Sequence, residues 1–300
     1  TRRTPIPTAN SAGGGLRISG GEDRPILLES TGWSWTERAL LILLAGLVVG
    51  MLQATNSWDF PTYLALISAA FIVASYARDG AVTLAGLASA VVSAVMTLFV
   101  AQILFLPYTR SYELFNNGID PAPAKTDIRY YLVMFGLFLF CLGTALIYNL
   151  ARDPWMRFHL RGIGERLTGA VRYQRRTELW TALVRPSPWM ELLPWATGAV
   201  LVLMLGSLLA RQFLIAMLLG LCLLALLALF QRRTTPEHML LALMVGLGAV
   251  LTLGVELVTI KGDIGRMNTV FKFYLQAWFL LGLSSALLVS DLLRRWRRDG

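Results

Sequence analysis

Long apolar runs separated by short polar segments fill most of the chain. Only Arg211 and Gln212 interrupt residues 192–230, but a single helix of that length would reach roughly 58 Å at 1.5 Å per residue, so the segment is divided into two spans. Every resulting run is long enough to cross roughly 30 Å of hydrocarbon. The pattern predicts an all-α, polytopic membrane bundle with about eight spans, at about 37–55, 60–77, 81–106, 128–150, 192–210, 212–230, 237–258 and 268–290.

Composition supports the membrane class, since 56% of the 300 residues are hydrophobic and 15% are charged. Residues 1–35 are rich in Gly, Pro, Ser and Thr and are predicted to be a flexible cytoplasmic linker, which suggests a piece of a longer protein. The two cysteines, Cys141 and Cys222, lie inside apolar runs and indicate neither a disulfide framework nor a cysteine metal site. The two histidines lie far apart and form no zinc-like cluster.

Basic residues set the orientation. With both termini in the cytoplasm, the inner segments hold most of the 27 lysines and arginines, including the loop 151–191 and the tail 292–300. We therefore expect a multi-pass protein of the cell membrane, and the inner arginines account for the net charge of +9 without a nucleic-acid partner. Residues 155–176 are interpreted either as an amphipathic element on the anionic inner leaflet or as a solvated, topology-setting loop.

Three unusually polar segments, 53–63, 107–127 and 256–278, fall on the predicted outer side. In the last of these, Asn268, Lys272 and Gln276 are spaced four apart and form a polar stripe on a helix. Ionisable groups at the edge of a span are costly and are functional candidates. Arg266, Asn268 and Lys272, with the start of the last span, are predicted to line a cavity that receives an anion. The alternative is structural, an ion pair between Glu256 and Lys272 that ties the last two spans together.

The first polar segment gives a second candidate carboxylate. Asp59 lies two residues before Pro61 at the start of the second span, so it is either a helix N-cap or a carboxylate facing the outer side with Asn56 and Tyr63 beside it. The segment 107–127 is long enough for a lid or a binding loop, and its polar residues include Arg110.

The stretches "NSWDFPTY", "FLPYTRSY…NGID" and "RMNTVFKFYLQAW" resemble the YYY-type family of bacterial and archaeal polytopic membrane proteins, whose function is unknown. The resemblance extends over nearly all of residues 36–290. The namesake tyrosine triplet is absent, since Tyr130 and Tyr131 form only a pair, and this fits a C-terminal portion whose upstream transmembrane segments belong to the same protein.

The YYY-type family in turn resembles the GT-C class of membrane glycosyltransferases. That likeness implies transfer of a sugar from a polyprenyl-phosphate carrier at the extracytoplasmic face, often with a divalent metal such as Mg²⁺ or Mn²⁺. Asp59 or Glu256 would then be the catalytic carboxylate, and Arg266 and Lys272 would hold the carrier phosphate. Two other classes of function stay open: a transporter or flippase for an anionic or lipid-linked solute, and a non-catalytic scaffold within the lipid bilayer.

Overall fold

The computed structural model describes residues 34–80, 82–112, 118–153, 188–231 and 234–299. Within them seven helices are long and apolar enough to cross a membrane, and an eighth apolar helix has 17 residues. The predicted all-α polytopic bundle is confirmed. The helices are α1 (Trp35–Thr55), α2 (Asp59–Asp79), α3 (Leu84–Leu104), the short α4 (Leu106–Ser111), α5 (Ile128–Arg152), α6 (Pro188–Leu209), α7 (Phe213–Leu229), α8 (Pro236–Leu257) and α9 (Met267–Asp299).

Local sequence signals explain where several helices begin and end. Ser34 and Glu37 form a reciprocal capping box at the start of α1, with Ser34 N donating to Glu37 Oε2 at 2.8 Å. Asp127 caps α5 and Thr235 caps α8 through their side-chain oxygens. Gly80 ends α2 with a φ of 68°, a left-handed conformation that glycine adopts without a steric penalty. These caps satisfy backbone groups that the helix itself leaves unpaired.

A tight turn separates α6 from α7. Arg211 adopts a φ of 58°, and Gln212 N donates to Ser207 O at 2.7 Å, which closes the turn. Residues 192–230 are therefore two helices with a polar dipeptide between them. Each of the eight long helices overlaps one of the apolar runs from which a span was predicted.

Helices α1 and α3 pack closely because two glycines of α1 face α3. A Cβ atom added at Gly46 would lie 2.5 Å from Val100 Cγ1, and one added at Gly50 would lie 2.3 Å from Phe105 Cδ2. The sequence Gly46-Leu-Val-Val-Gly50 is the small-xxx-small pattern that lets membrane helices approach each other. Polar contacts support the same pair of helices, since Gln102 Nε2 donates to Gln53 Oε1 at 2.9 Å.

The main core lies between α5, α7, α8 and α9. Its largest fully buried side chains include Tyr131, Phe135, Leu142, Leu218 and Leu281. The rings of Tyr131 and Phe135 stack at 4.6 Å, and both meet the ring of Tyr274 edge-on. This aromatic group fixes α9 against α5 close to the end of the bundle where the polar residues collect.

A two-stranded antiparallel sheet, which the apolar pattern did not predict, joins two distant loops. Strand β1 (Ile119–Pro121) pairs with β2 (Val258–Ile260), with Ile119 opposite Ile260 and Pro121 opposite Val258. Backbone bonds continue the pairing on both sides, from Lys261 N to Gly118 O and from Ala122 N to Leu257 O. We call the end of the bundle formed by residues 56–58, 105–112, 118–127 and 258–266 the sheet end.

The other end of the bundle is held by contacts among α2, α8 and α9. Tyr76 Oη donates to Thr234 O at 3.0 Å, and His238 Nε2 lies 2.9 Å from Asp291 Oδ2. The predicted linker 1–35, apart from its last two residues, and the predicted amphipathic element at 155–176 lie outside the described residues. The assignment of the sheet end to the extracytoplasmic side remains a prediction.

Candidate functional site

Most of the polar residues singled out in the sequence gather at the sheet end, in two groups on either side of α9. The Asp59 cluster comprises Trp58, Asp59, Thr62, Lys272 and Gln276. The Glu256 cluster comprises Lys125, Thr126, Glu256, Arg266 and Tyr274. Both clusters draw on the start of α9, because Tyr274 and Gln276 are two residues apart and therefore point to nearly opposite faces of the helix.

A buried amide organises the Asp59 cluster. Gln276, which is 4% exposed, donates from Nε2 to Asp59 Oδ1 at 2.7 Å and to Trp58 O at 3.2 Å. Its Oε1 accepts from the hydroxyl of Thr62, which is 3% exposed. All three hydrogen bonds of Gln276 go to residues 58–62, so this part of the polar stripe of α9 packs on the start of α2 and does not face lipid.

Asp59 does not act as the helix cap that the simpler interpretation of the sequence predicted. Trp58 occupies the N-cap position of α2 with no side-chain capping bond, and Asp59 is the first residue of the helix. A carboxylate there interacts favourably with the positive end of the helix dipole. Asp59 Oδ1 is used by Gln276, whereas Oδ2 has no hydrogen-bond partner among the described residues. The carboxylate is half-buried and has one oxygen left for a ligand.

The ammonium group of Lys272 lies over the indole ring of Trp58. Lys272 Nζ is 5.4 Å from the ring centroid, a cation–π contact, and the ring also meets Phe273 edge-on at 6.1 Å. Within the described part of the chain Lys272 forms no ion pair. A half-buried cation that is held by an aromatic face, and not by a carboxylate, keeps its charge available to an anion.

Two further candidates, Asn56 and Tyr63, flank this cluster. Asn56 ends α1, and its Oδ1 accepts from Trp58 N at 3.4 Å. Tyr63 follows Asp59 by one helical turn, so both lie on the same side of α2. Its half-buried hydroxyl has no hydrogen-bond partner in the described residues. Asn56 therefore lies in the turn just before α2, and Tyr63 adds a polar group on the side of α2 that carries Asp59.

The Glu256 cluster is a fully paired ionic network. Glu256 is 0% exposed, and its Oε1 accepts from Arg266 Nη2 at 2.7 Å, from Thr126 Oγ1 at 2.6 Å and from Tyr274 Oη at 3.1 Å. Thr126 N donates to the other carboxylate oxygen at 2.8 Å, and Lys125 donates to the backbone carbonyl of Glu256. Both oxygens of this carboxylate are used inside the protein.

Arg266 is held just as firmly within the same cluster. Its side chain is 7% exposed, and besides Glu256 it donates to Thr126 Oγ1 at 2.8 Å and to the carbonyl of Ala124. Its backbone has a φ of 65°, a left-handed conformation that is costly for a residue with a side chain. The guanidinium contacts hold this turn in place just before α9, and they tie residues 124–126 to the start of that helix.

The suggested ion pair between Glu256 and Lys272 is not formed. The described residues pair Glu256 with Arg266, while Lys272 reaches the ring of Trp58. The physical reason lies in the loop between β2 and α9. Left-handed backbone at Gly265 and Arg266 turns the arginine side chain inward toward α8, and the following helical residues carry Lys272 round toward α2.

Two of the predicted candidates stand apart from these clusters. Asn268 is exposed, and its backbone N–H, not its side chain, donates to Asp263 Oδ1 at 3.2 Å. Arg110 is an exposed residue of α4, and its side chain makes no hydrogen bond or ion pair within the described residues. Neither contributes to the two clusters as they stand.

The side chain of Asp263 caps the first turn of α9, a role that the sequence did not suggest. Its carboxylate accepts from Thr269 N at 2.8 Å and from Thr269 Oγ1 at 2.6 Å, as well as from Asn268 N. Partial burial would raise the pKa of this carboxyl, but the hydrogen bonds outweigh that effect and lower the pKa below its ordinary value. Thr269 also bonds to Thr259 and Ile260, so the same residue links β2 to α9.

The described residues do not supply a metal centre of the usual kind. No group of three or more His, Cys, Asp or Glu side chains comes together among them. The free oxygen of Asp59 is a single carboxylate ligand, and a Mg²⁺ ion held by one carboxylate takes its other ligands from substrate phosphates and waters. We therefore assign no chemical step to a metal ion at this site.

Several residues of these clusters carried little signal in the sequence. Thr62, Thr126 and Tyr274 lie within or beside apolar runs, and their polar roles come only from the way the helices pack. The one usable signal was helical spacing, since Tyr274 lies on the side of the helix opposite the polar stripe.

A comparison with protein-family models places most of the chain in one family. The model described as an uncharacterized membrane protein, DUF2298, matches residues 25–281. The chain belongs to the DUF2298 family. Membership in DUF2298 supports a multi-pass membrane protein in contact with the lipid bilayer, and it carries neither the YYY-type name nor the likeness to glycosyltransferases. No curated protein and no solved structure matches the chain.

Proposed function

We propose that this DUF2298 protein is a membrane glycosyltransferase, or the carrier-binding part of one, which uses a polyprenyl-phosphate-linked sugar at the sheet end. The observation that carries the proposal is the Asp59 cluster. In this cluster the Asp59 carboxylate has one oxygen with no hydrogen-bond partner among the described residues, and Lys272 forms no ion pair with them. Asp59 lies on α2 and Lys272 on α9, the two helices that Gln276 joins. The likeness to the GT-C class is an analogy at the level of the fold, and the proposal is argued from the site instead.

The two charged groups have complementary parts in such a reaction. Asp59 accepts the proton of the acceptor hydroxyl as the acceptor oxygen bonds to the anomeric carbon of the sugar. The bond between that carbon and the phosphate oxygen breaks, and the phosphate keeps the electron pair. The carrier thus changes from a diester with one negative charge to a monoester with more, and Lys272 stabilises the added charge.

Asp59 is preferred over Glu256 as the reacting carboxylate because of burial. Glu256 is 0% exposed and uses both oxygens within its own cluster, so a substrate would first have to break that network. Arg266 is excluded from direct phosphate binding on the same grounds. In this proposal the Glu256 cluster supports the start of α9 and thereby the position of Lys272.

The Glu256 cluster, taken by itself, favours the alternative that the protein is a non-catalytic scaffold within the bilayer. Its contacts join residues 124–126, α8 and α9 with no group left over for a ligand among the described residues. A scaffold made only of such contacts would lose stability when Arg266 is replaced, and replacing Lys272 would abolish no binding activity.

The test is sugar transfer by the reconstituted protein from a panel of polyprenyl-phosphate-linked sugars. Asp59→Asn should lower the rate by about 10²-fold or more, as expected for loss of a general base, and Lys272→Ala should lower it by about 10²-fold. Asp120→Asn and Lys261→Ala are matched controls, because both residues are exposed at the sheet end and should leave the rate unchanged.

Three results would contradict the proposal. One is the absence of transfer from every donor by the unmodified protein. Another is full activity of Asp59→Asn or Lys272→Ala. The last is an equal loss of activity in the two control variants, which would mean that any charge at the sheet end matters and that the Asp59 cluster has no special part.

A further inference from the structure

The last helix is longer than a bilayer requires. Helix α9 has 33 residues, which corresponds to about 50 Å, whereas the hydrocarbon core is about 30 Å thick. Residues 273–290 contain no Asp, Glu, Lys or Arg, and Asp291 is the first charged residue after them. Residues 291–299 therefore continue as a helix for about 13 Å beyond the apolar run, a length that corresponds to the headgroup layer in the predicted topology.

This extension is fastened to the start of α8 by a small ionic network. His238 Nε2 lies 2.9 Å from Asp291 Oδ2, and Arg295 Nε lies 2.8 Å from the same oxygen. Arg295 Nη2 also lies 3.2 Å from His238 Nε2, and Thr235 Oγ1 lies 2.8 Å from His238 Nδ1. The network uses Arg295 and fixes the rotation of the extension about its axis.

Four other side chains of the extension form two pairs. Arg294 and Arg297 are three residues apart, so they share one face, and both are exposed with no hydrogen bond or ion pair to described residues. Leu293 and Trp296 are also three apart and are 46% and 71% exposed. Exposed tryptophan next to arginine is the arrangement that anchors a helix at the boundary between acyl chains and headgroups.

We propose that this helical extension is a binding site for the headgroup of an anionic phospholipid. Arg294 and Arg297 donate to the phosphate through their planar guanidinium groups, and Leu293 and Trp296 lie against the upper part of the acyl chains. Arg295 is not part of the site, because Asp291 and His238 already use it. The proposal is independent of the proposed transferase function, since it concerns the opposite end of the bundle.

The predicted topology agrees with this partner. The extension lies on the side assigned to the cytoplasm, and the cytoplasmic leaflet carries the anionic lipids that attract basic segments next to a membrane. Each such arginine contributes about 1 kcal/mol, which is about five-fold in binding. Arg294 and Arg297 together thus give a preference of about 25-fold for an anionic over a zwitterionic lipid.

The experiment measures which lipids stay bound to the full chain. The detergent-solubilised protein is offered an equimolar mixture of phosphatidylglycerol and phosphatidylcholine, and the bound lipids are counted by native mass spectrometry. Arg294→Gln should lower the preference for phosphatidylglycerol about five-fold, and Arg294→Gln with Arg297→Gln about 25-fold. Arg295→Gln removes the same charge from the same helix and should change the preference less than about two-fold.

A second control tests for effects of net charge. Arg129→Gln with Lys261→Gln removes two exposed cations at the sheet end and should leave the preference unchanged. An equal effect of Arg294→Gln and Arg295→Gln would overturn the proposal, because attraction would then depend on total charge and not on the face that Arg294 and Arg297 share. An unchanged preference in the Arg294/Arg297 double variant, or an equal loss in the sheet-end control, would overturn it as well.

Discussion

Removing Arg266 tests whether the Glu256 cluster holds the sheet end together. The substitution Arg266→Met keeps a long side chain but leaves Glu256, which is 0% exposed, without its counter-charge. Breaking a buried ion pair by removing one partner typically costs about 3–5 kcal/mol. Thr126 and Tyr274 still donate to the carboxylate, so we expect the lower end of that range, about 3 kcal/mol.

Lys272→Met is the matched comparison. It removes a cation from the same helix, but this cation is held only by the cation–π interaction with Trp58, which is worth about 0.5–2 kcal/mol. The free energy of unfolding is measured for each variant by circular dichroism in mixed micelles with increasing fractions of a denaturing detergent. Arg266→Met should therefore be destabilised by at least about 1 kcal/mol more than Lys272→Met.

A double-mutant cycle separates the ion pair from other effects of the two side chains. Glu256→Gln and Arg266→Met should together cost about 1–3 kcal/mol less than the sum of the single changes, because the second change removes a charge that the first left unpaired. Additive costs would refute the reasoning, as would a destabilisation below about 1 kcal/mol for Arg266→Met. Either result would mean that the pair contributes little to the fold.

Two further predictions concern packing and pH. Gly50→Ala places a Cβ atom 2.3 Å from Phe105 Cδ2 and should destabilise the bundle by about 1–3 kcal/mol, whereas Gly143→Ala, with no atom within 4 Å of the added Cβ, should have no such cost in the same unfolding assay. Hydrogen bonds from the Arg129 side chain and backbone lower the pKa of Asp127 to about 2. The ionised carboxylate therefore stabilises α5 at any pH above the ordinary pKa of an aspartate. This stabilisation is lost as the pH falls toward 2. The difference in melting temperature between the unmodified protein and Asp127→Asn should therefore be constant from pH 7 to about pH 4 and shrink below it, and a difference that does not change with pH would contradict the assignment.

The helices were predictable because lipid exposure demands continuous apolar runs. A helix such as α3 (Leu84–Leu104) has no charged side chain, and its length alone matches the hydrocarbon thickness. Spacing also predicted correctly that Lys272 and Gln276 share a face. The partners of that face were not predictable, since they lie on α2, more than 200 residues earlier.

The ion-pair partner of Glu256 illustrates what spacing cannot give. Arg266 and Lys272 are both cations near the start of α9 and both lie close in sequence to the end of α8. Spacing alone therefore does not show which of them pairs with Glu256. The choice depends on left-handed backbone at Gly265 and Arg266, which no hydrophobic pattern encodes. The strands were missed for a related reason: each has three residues, and β1 contains Pro121, which cannot donate to a ladder.

The pairing of β1 with β2 also bears on the order in which the protein is made. Ile119 faces Ile260, so the ribosome must synthesise about 140 more residues before the first strand meets its partner. Until then, the backbone N–H and C=O groups of that strand have only water or lipid headgroups to bond with. The sheet end can thus form only after β2, which lies between α8 and α9, has been made. The segment 118–127 should therefore change from protease-sensitive to protease-protected when α8 and α9 have inserted.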